Sequence, residues 1–309
     1  MRFGLQLKTY APREHGNHWD STLAVARACE EAGLDSVWFA DHFMFPDEEN
    51  PDKEVPVMEC FTVLGALAAA TNRIRIGALV AGVPYRNPAL LAKMHSTLDV
   101  ISHGRTIVGL GAGWHQPEFD AYGWPFGTVK QRMEQLEDAA QIIKAMMTQR
   151  PASHTGKHYS IRDAYNDPMP IQKPHPPIMI GGGGERQTLR LVAKHADFCN
   201  VFGDPETVAH KFEVLRGHCE KVGRPYEEIT RSNHVPMLIG RSEAELREKH
   251  GESLDSFSGL MGTPETIIQR LGEYAAVGSQ YITLRMENAD DLDPIHLFGE
   301  TVLPALADA

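Results

Sequence analysis

A chain of 309 residues is long enough for one large α/β barrel or for two ordinary domains. Its 42% hydrophobic and 23% charged residues are those of a globular protein with a full core. With 30 Lys and Arg against 41 Asp and Glu the net charge is −11, which excludes nucleic acid and anionic membrane as expected partners, since both need basic patches.

Taken in order, the elements alternate. Phe3 to Leu7 is a short strand, Trp19 to Ala32 a helix stopped by Gly33, and Asp35 to His42 a second strand, apolar until its last two residues. A polar loop (Phe43 to Val57) leads into a helix at about Glu59 to Ala70. The stretch Arg73 to Gly113 then holds a complete strand–helix–strand unit. A β-branched run ends in Pro84 and Asn87-Pro88, a helix carries Leu90, Leu91, Met94, Leu98 and Ile101 on its apolar positions, and a fourth strand opens at Thr106. Such a unit joins parallel strands, because the helix must carry the chain back to the same edge.

Helix Gln131 to Met147 follows, then strand Pro177 to Ile180 and helix Glu185 to His195. Strand Phe198 to Phe202 precedes helix Pro205 to Val222. Strand Ser232 to Ile239, helix Pro264 to Val277, strand Tyr281 to Met286 and a helix near Ile295 to Leu306 complete the chain. Eight strands alternating with helices imply an α/β fold of the (β/α)8 TIM-barrel type, read as one domain over residues 1–309. Trp114 to Lys130 and Pro151 to Pro176 are insertions after strand four and its helix, expected near one rim. Gly251 to Gly262 reads as a mobile loop over the mouth. No apolar segment reaches bilayer length, and MRFGLQLKTY lacks a signal-peptide pattern. Cys29, Cys60, Cys199 and Cys219 form no C-x-x-C pair, so a cytoplasmic chain with free thiols is expected.

In such a barrel function gathers at the C-terminal ends of the strands. Asp41-His42 is a polar pair ending a buried strand. Its imidazole can bond a ring carbonyl, move a proton near neutral pH, or serve a loop carbonyl as a structural group. Gly181, Gly182, Gly183 and Gly184 open a helix, where bare backbone N–H groups can receive a phosphate; a tight turn is the plainer alternative. The spacing Gly109-x-Gly111-x-Gly113 lets a flat molecule lie against a strand or merely admits bulky neighbours. His154 and His158 have no paired acid or thiol nearby, and no metal site is expected. There is no G-x-S-x-G nucleophile motif.

Four stretches together resemble the bacterial luciferase-like oxidoreductases: SVWFADHF (Ser36 to Phe43), YRNPALLAKMHSTLDVISHGR (Tyr85 to Arg105), VGLGAGWHQPEFDAYG (Val108 to Gly123) and PIMIGGGGERQTLRLVAKHAD (Pro177 to Asp197). The resemblance covers nearly the whole chain in order and independently implies the same barrel. It implies a coenzyme in the barrel mouth, either coenzyme F420 or FMN, and looks most like the F420-dependent branch. Asp41 and His42 would meet the polar edge of the ring, with His42 as acid or base. Leu79, Val80 and Ala81 would back the ring through a bulge that carries a non-proline cis peptide, expected at Leu79-Val80. Gly113 would lie along the ring and the four glycines at the phosphate.

The chain departs from the sugar-phosphate dehydrogenases of that branch, which carry a carboxylate where Trp114 stands. Glu118 is the nearest acid and is out of register. Trp114 and His115 would instead give the pocket an aromatic wall for an apolar or conjugated substrate, or else simply pack the insertion. The implied function is hydride transfer between F420 and a small organic molecule. The alternatives are an FMN-dependent monooxygenase and a flavin-binding barrel without catalysis, and pairing into a homodimer is a common habit of the family.

Overall fold

The apolar runs become eight parallel strands: β1 (Arg2–Gln6), β2 (Ser36–Phe39), β3 (Arg75–Ala78), β4 (Thr106–Gly111), β5 (Ile178–Gly181), β6 (Phe198–Phe202), β7 (Thr230–Ile239) and β8 (Tyr281–Met286). Each pairs with the next, and β8 returns to β1 with Arg2 opposite Tyr281 and Leu5 opposite Leu284, so the barrel closes. The computed structural model describes residues 1–8, 18–46, 54–55 and 57–307; residues 47–53 and 56 of the expected polar loop lie outside the described residues.

Helices α1 (His18–Ala32), α2 (Cys60–Ala70) and α3 (Pro88–Ile101) follow the first three strands. α4 (Gln116–Tyr122) and α5 (Val129–Thr148) follow the fourth, α6 (Thr188–His195) the fifth and α7 (Pro205–Val222) the sixth. α8 (Glu243–His250) and α9 (Pro264–Ala276) follow the seventh, and the described chain closes on a helical run, Asp293–Leu297, Phe298–Val302 and Leu303–Ala305, the middle piece a π-turn. Local chemistry explains the starts: Asn87 caps α3 ahead of Pro88, and Thr128 with Gln131 forms a capping box on α5. α6 begins three residues later than the sequence suggests, because Glu185, Arg186 and Gln187 form a turn.

Alternation along each strand separates two cores. Val37, Phe39, Ile76, Val108 and Leu110 point outward into the layer beneath the helices. Trp38, Ile107, Met179, Phe198 and Tyr281 point inward and plug the barrel, with Leu79 and Val80 packed above them. Two glycines make room for the plug: a Cβ on Gly77 would lie 2.6 Å from Trp38 Cζ3, and one on Gly4 would lie 2.6 Å from Trp38 Nε1. The barrel is therefore filled below and open only above.

Two expectations about loops are corrected. The second insertion folds as an antiparallel hairpin, Ala152–Thr155 with Ser160–Ala164, that lies along α5, where His158 N donates to buried Asp138. Its tail runs to the closed end, where Gln172 donates to Thr106 O at the opening of β4, so it does not share the rim of the first insertion. Gly251–Gly262 is not a free lid either. Leu254 buries against Leu238 and Leu246, and Leu260–Gly262 pairs with the end of β7. The non-proline cis peptide stands at Leu79-Val80, as expected.

Candidate active site

The first insertion brings a carboxylate to the end of β2. Phe119 of α4 is fully buried and packs on Tyr85 with ring centroids 4.9 Å apart, which docks the helix over the rim. The preceding residue, Glu118, is thereby turned inward and is also fully buried. Its Oε1 accepts from His42 Nδ1, and its Oε2 accepts from Phe43 N at 3.1 Å. Burial, then the charges of Glu118 and Asp41, push the Tyr85 phenol far above its ordinary value. With the proton of His42 held on Nδ1, its Nε2 is left for the cavity that the ring lines.

Asp41 points elsewhere. Arg86 grips its two oxygens in a fork of 2.7 and 2.9 Å, and Gly82 N donates to Oδ2 at 3.1 Å. Arg86 also bonds Glu59 Oε1 at 2.6 Å and lies over the Phe61 ring at 4.8 Å. Burial raises the Asp41 carboxyl while the guanidinium pulls it back down. Asp41 lines the mouth, but the work of its side chain is to fix the β2 end and the turn after β3 to each other.

Above the barrel plug the mouth divides into two lobes that share His42, Leu79, Trp114 and Phe202. One lobe, about 300 Å³, is lined by main chain and small residues: Val80, Gly82, Gly111, Ala112, Gly113, Gly181 and Gly182, together with Asp41, Tyr85 and Asn200. At two points of its wall there is no room for a Cβ. A Cβ on Gly111 would lie 2.5 Å from Val80 Cγ2, and one on Gly181 would lie 3.0 Å from Val80 Cγ1. The other lobe, about 400 Å³, is lined by side chains of β1, β7 and β8, among them Gln6, Lys8, His234, Pro236, Arg285 and Glu287, with Phe45 beside them.

The structure sorts the residues singled out from sequence. His42, Leu79, Val80, Gly113, Gly181, Gly182 and Trp114 line the mouth, and the Trp114 ring stands 5.6 Å from that of His42. Ala81 is buried in the outer core beside β4 and lines neither lobe. Gly183 lies against Lys211 and Gly184 against Thr188, one step outside the lobe. His115 is nearly buried behind Trp114, its ring 5.0 Å away. Among the described residues no group of three His, Cys, Asp or Glu is placed to hold a metal, and no helix is long and apolar enough to cross a membrane.

Sequence reasoning missed several residues of the mouth. Glu118 was noticed but set aside as out of register, and Arg86 and Tyr85 passed as parts of a motif. Asn200, His234 and Arg285 are polar residues at inward alternate positions of their strands, and Asn200 interrupts an otherwise apolar run. That break in strand pattern was the available signal.

Comparison with known proteins agrees with this fold. The F420-dependent glucose-6-phosphate dehydrogenase of Microbacterium testaceum (strain StLB037) is 27% identical to the chain, covering 99% of it and 97% of the relative. The FMNH(2)-dependent dimethylsulfone monooxygenase of Pseudomonas putida is 26% identical, covering 81% and 79%. The fold matches an F420-dependent secondary alcohol dehydrogenase, solved with an F420-acetone adduct, with a TM-score of 0.82 over 99% of both chains at 19% identity. The luciferase-like monooxygenase family model matches residues 1–260, and the chain belongs to that family of oxidoreductases and monooxygenases.

Proposed function

We propose that the protein is an F420-dependent oxidoreductase that moves hydride between the deazaflavin and a small organic substrate, with His42 as the acid or base. The observation that carries this is the His42–Glu118 pair: an imidazole fixed through Nδ1 by a buried carboxyl, its free edge turned to the place where both lobes meet. The glycine-walled lobe fits a flat ring, because Gly111 and Gly181 leave no room for a Cβ beside Val80. It also holds an acceptor in need of a partner: Asn200 is buried, and its Oδ1 has none among the described residues. Leu79, Val80, Gly113 and Asn200 would hold the ring, and the Gly181–Gly184 turn its phosphate.

Bound there, F420 would supply a ring carbon that gives or takes hydride. The protein's part is the proton. As an alcohol is oxidised, His42 Nε2 takes the hydroxyl proton while Glu118 keeps Nδ1–H in place and balances the imidazolium; in reduction the same imidazolium returns the proton. Trp114, its ring beside that of His42, would give the carbon skeleton of the substrate an apolar face. The proposal also takes residues 1–309 as one domain, cytoplasmic, and working as a homodimer.

A second reading, an FMN-dependent monooxygenase, is favoured by the dimethylsulfone monooxygenase relative. A barrel that binds flavin without catalysis leaves the His42–Glu118 pair without a purpose. Titrating the purified protein with F420 and with FMN, followed by fluorescence, separates them. Micromolar F420 binding with weak FMN binding is expected. The reverse preference would transfer the protein to the monooxygenases, and binding of neither would leave only the barrel standing.

A further inference from the structure

Taking the side-chain-lined lobe as the substrate side, we propose that His234 is a substrate-binding hydrogen-bond acceptor, whose proton-free Nε2 receives an O–H or N–H donor of an uncharged organic molecule. Alternation along β7 turns Ser232, His234 and Pro236 into the barrel. The hydroxyl protons around His234 can then be counted. Ser232 spends its one proton on Cys199 O at 2.5 Å, so it accepts from Asn200 Nδ2 at 3.1 Å. Thr283 spends its own on Asn233 O at 3.3 Å, so its oxygen accepts from Asn200 Nδ2 at 3.1 Å and from His234 Nδ1 at 3.1 Å.

With the Thr283 proton so assigned, His234 donates from Nδ1. Burial, and then the nearby Arg285 guanidinium, hold this imidazole down at about 4, so it carries no second proton. Its Nε2 is a bare lone pair with no partner among the described residues, and the ring lines the lobe with Phe202 5.6 Å away. The charges of the lobe set the rest of the preference. Lys8 is paired with Asp290 at 2.5 Å and Arg285 with Glu287 at 2.5 Å, so neither cation is left over for an anion. Phe202 and Trp114 offer apolar walls to the carbon skeleton.

The test begins with the full-length protein labelled with nitrogen-15 in histidine. One imidazole signal, absent in His234→Gln, is expected to show the neutral Nδ1–H tautomer at pH 7 and to stay neutral at pH 5; an Nε2–H tautomer or a charged ring would overturn the proposal. Benzyl alcohol, benzyl methyl ether and benzoate are then compared as binding probes. The alcohol is expected to bind roughly three- to tenfold more tightly than the ether, with benzoate weakest, and the alcohol's advantage should vanish in His234→Phe. Thr283→Val, which frees the Nδ1 proton, should erode the same advantage without replacing the ring. Equal binding of alcohol and ether, an advantage kept in both variants, tightest binding of benzoate, or no binding of any probe at millimolar concentration would each overturn it. These readouts need no coenzyme, so a failure of F420 to bind would defeat the proposed function and leave them standing.

Discussion

On one side of His42 the mouth of the barrel is walled by main chain, and on the other by side chains. The main-chain wall cannot change without moving the barrel, since Gly111 and Gly181 press against Val80. The side-chain wall hangs from β1, β7 and β8 and the residues just after them, and its shape is set by the side chains themselves. The difference teaches where constancy and variety sit. A flat partner common to many reactions suits a wall of fixed shape, and a partner particular to one reaction suits a wall of replaceable groups.

The contrast breaks most severely at the residue both lobes share. His42→Ala should lower turnover by about 10²–10⁴-fold if the imidazole carries the proton, measured as kcat with saturating coenzyme; normal turnover would end that role. Glu118→Gln should lower kcat by a smaller factor, roughly tenfold to a hundredfold, and leave coenzyme affinity unchanged. A loss of affinity in its place would make Glu118 a wall residue and not a positioning one.

Next in size is the clamp beneath the main-chain lobe. Arg86→Met leaves the fully buried Asp41 side chain without its partner and should cost about 3–5 kcal/mol of stability, read from denaturant melts. A loss below 1 kcal/mol would show that Asp41 takes up a proton instead of staying charged.

The two kinds of wall are compared directly by paired glycine substitutions. Gly111→Ala puts a Cβ 2.5 Å from Val80 Cγ2, and overpacking at that point should weaken coenzyme binding by about 1–3 kcal/mol. Gly123→Ala, at φ 71° with open space around it, should cost about 1–2 kcal/mol of stability and no affinity. If both variants bind coenzyme alike, the glycine wall is not where the ring lies.

The effect farthest from the mouth concerns a histidine without a hydrogen bond. His95 is fully buried with neither ring nitrogen partnered, and burial, then Arg86, hold it down at about 3, against 6.5 for the free side chain. Between these values the unfolded chain binds a proton that the folded chain refuses, so stability rises with pH across that window and falls as pH drops through it. His95→Leu should flatten the slope by up to about 1.4 kcal/mol per pH unit, seen in urea melts at pH 4.5 and pH 7. An unchanged slope would mean that His95 gains a proton without unfolding.

The alternation of strands and helices, the glycine turn and the Asp-His pair at the end of β2 were all legible along the chain, because each depends on neighbours a few residues apart. A resemblance carried by four stretches supplied the family and the position of the Leu79-Val80 cis peptide. Only the folded chain decided what those residues do for one another. Glu118 is 76 positions from His42 and meets it because α4 folds back over the rim. Asp41, expected with His42 at the polar edge of the ring, turns its carboxyl to Arg86 because a buried carboxyl takes the nearest fork of donors. The second insertion packs on α5 and the Gly251–Gly262 segment on the end of β7, and neither lines the two lobes of the mouth. Periodicity is written in local sequence, whereas which polar atoms find each other depends on the closure of the barrel, which brings β8 beside β1 across the whole length of the chain.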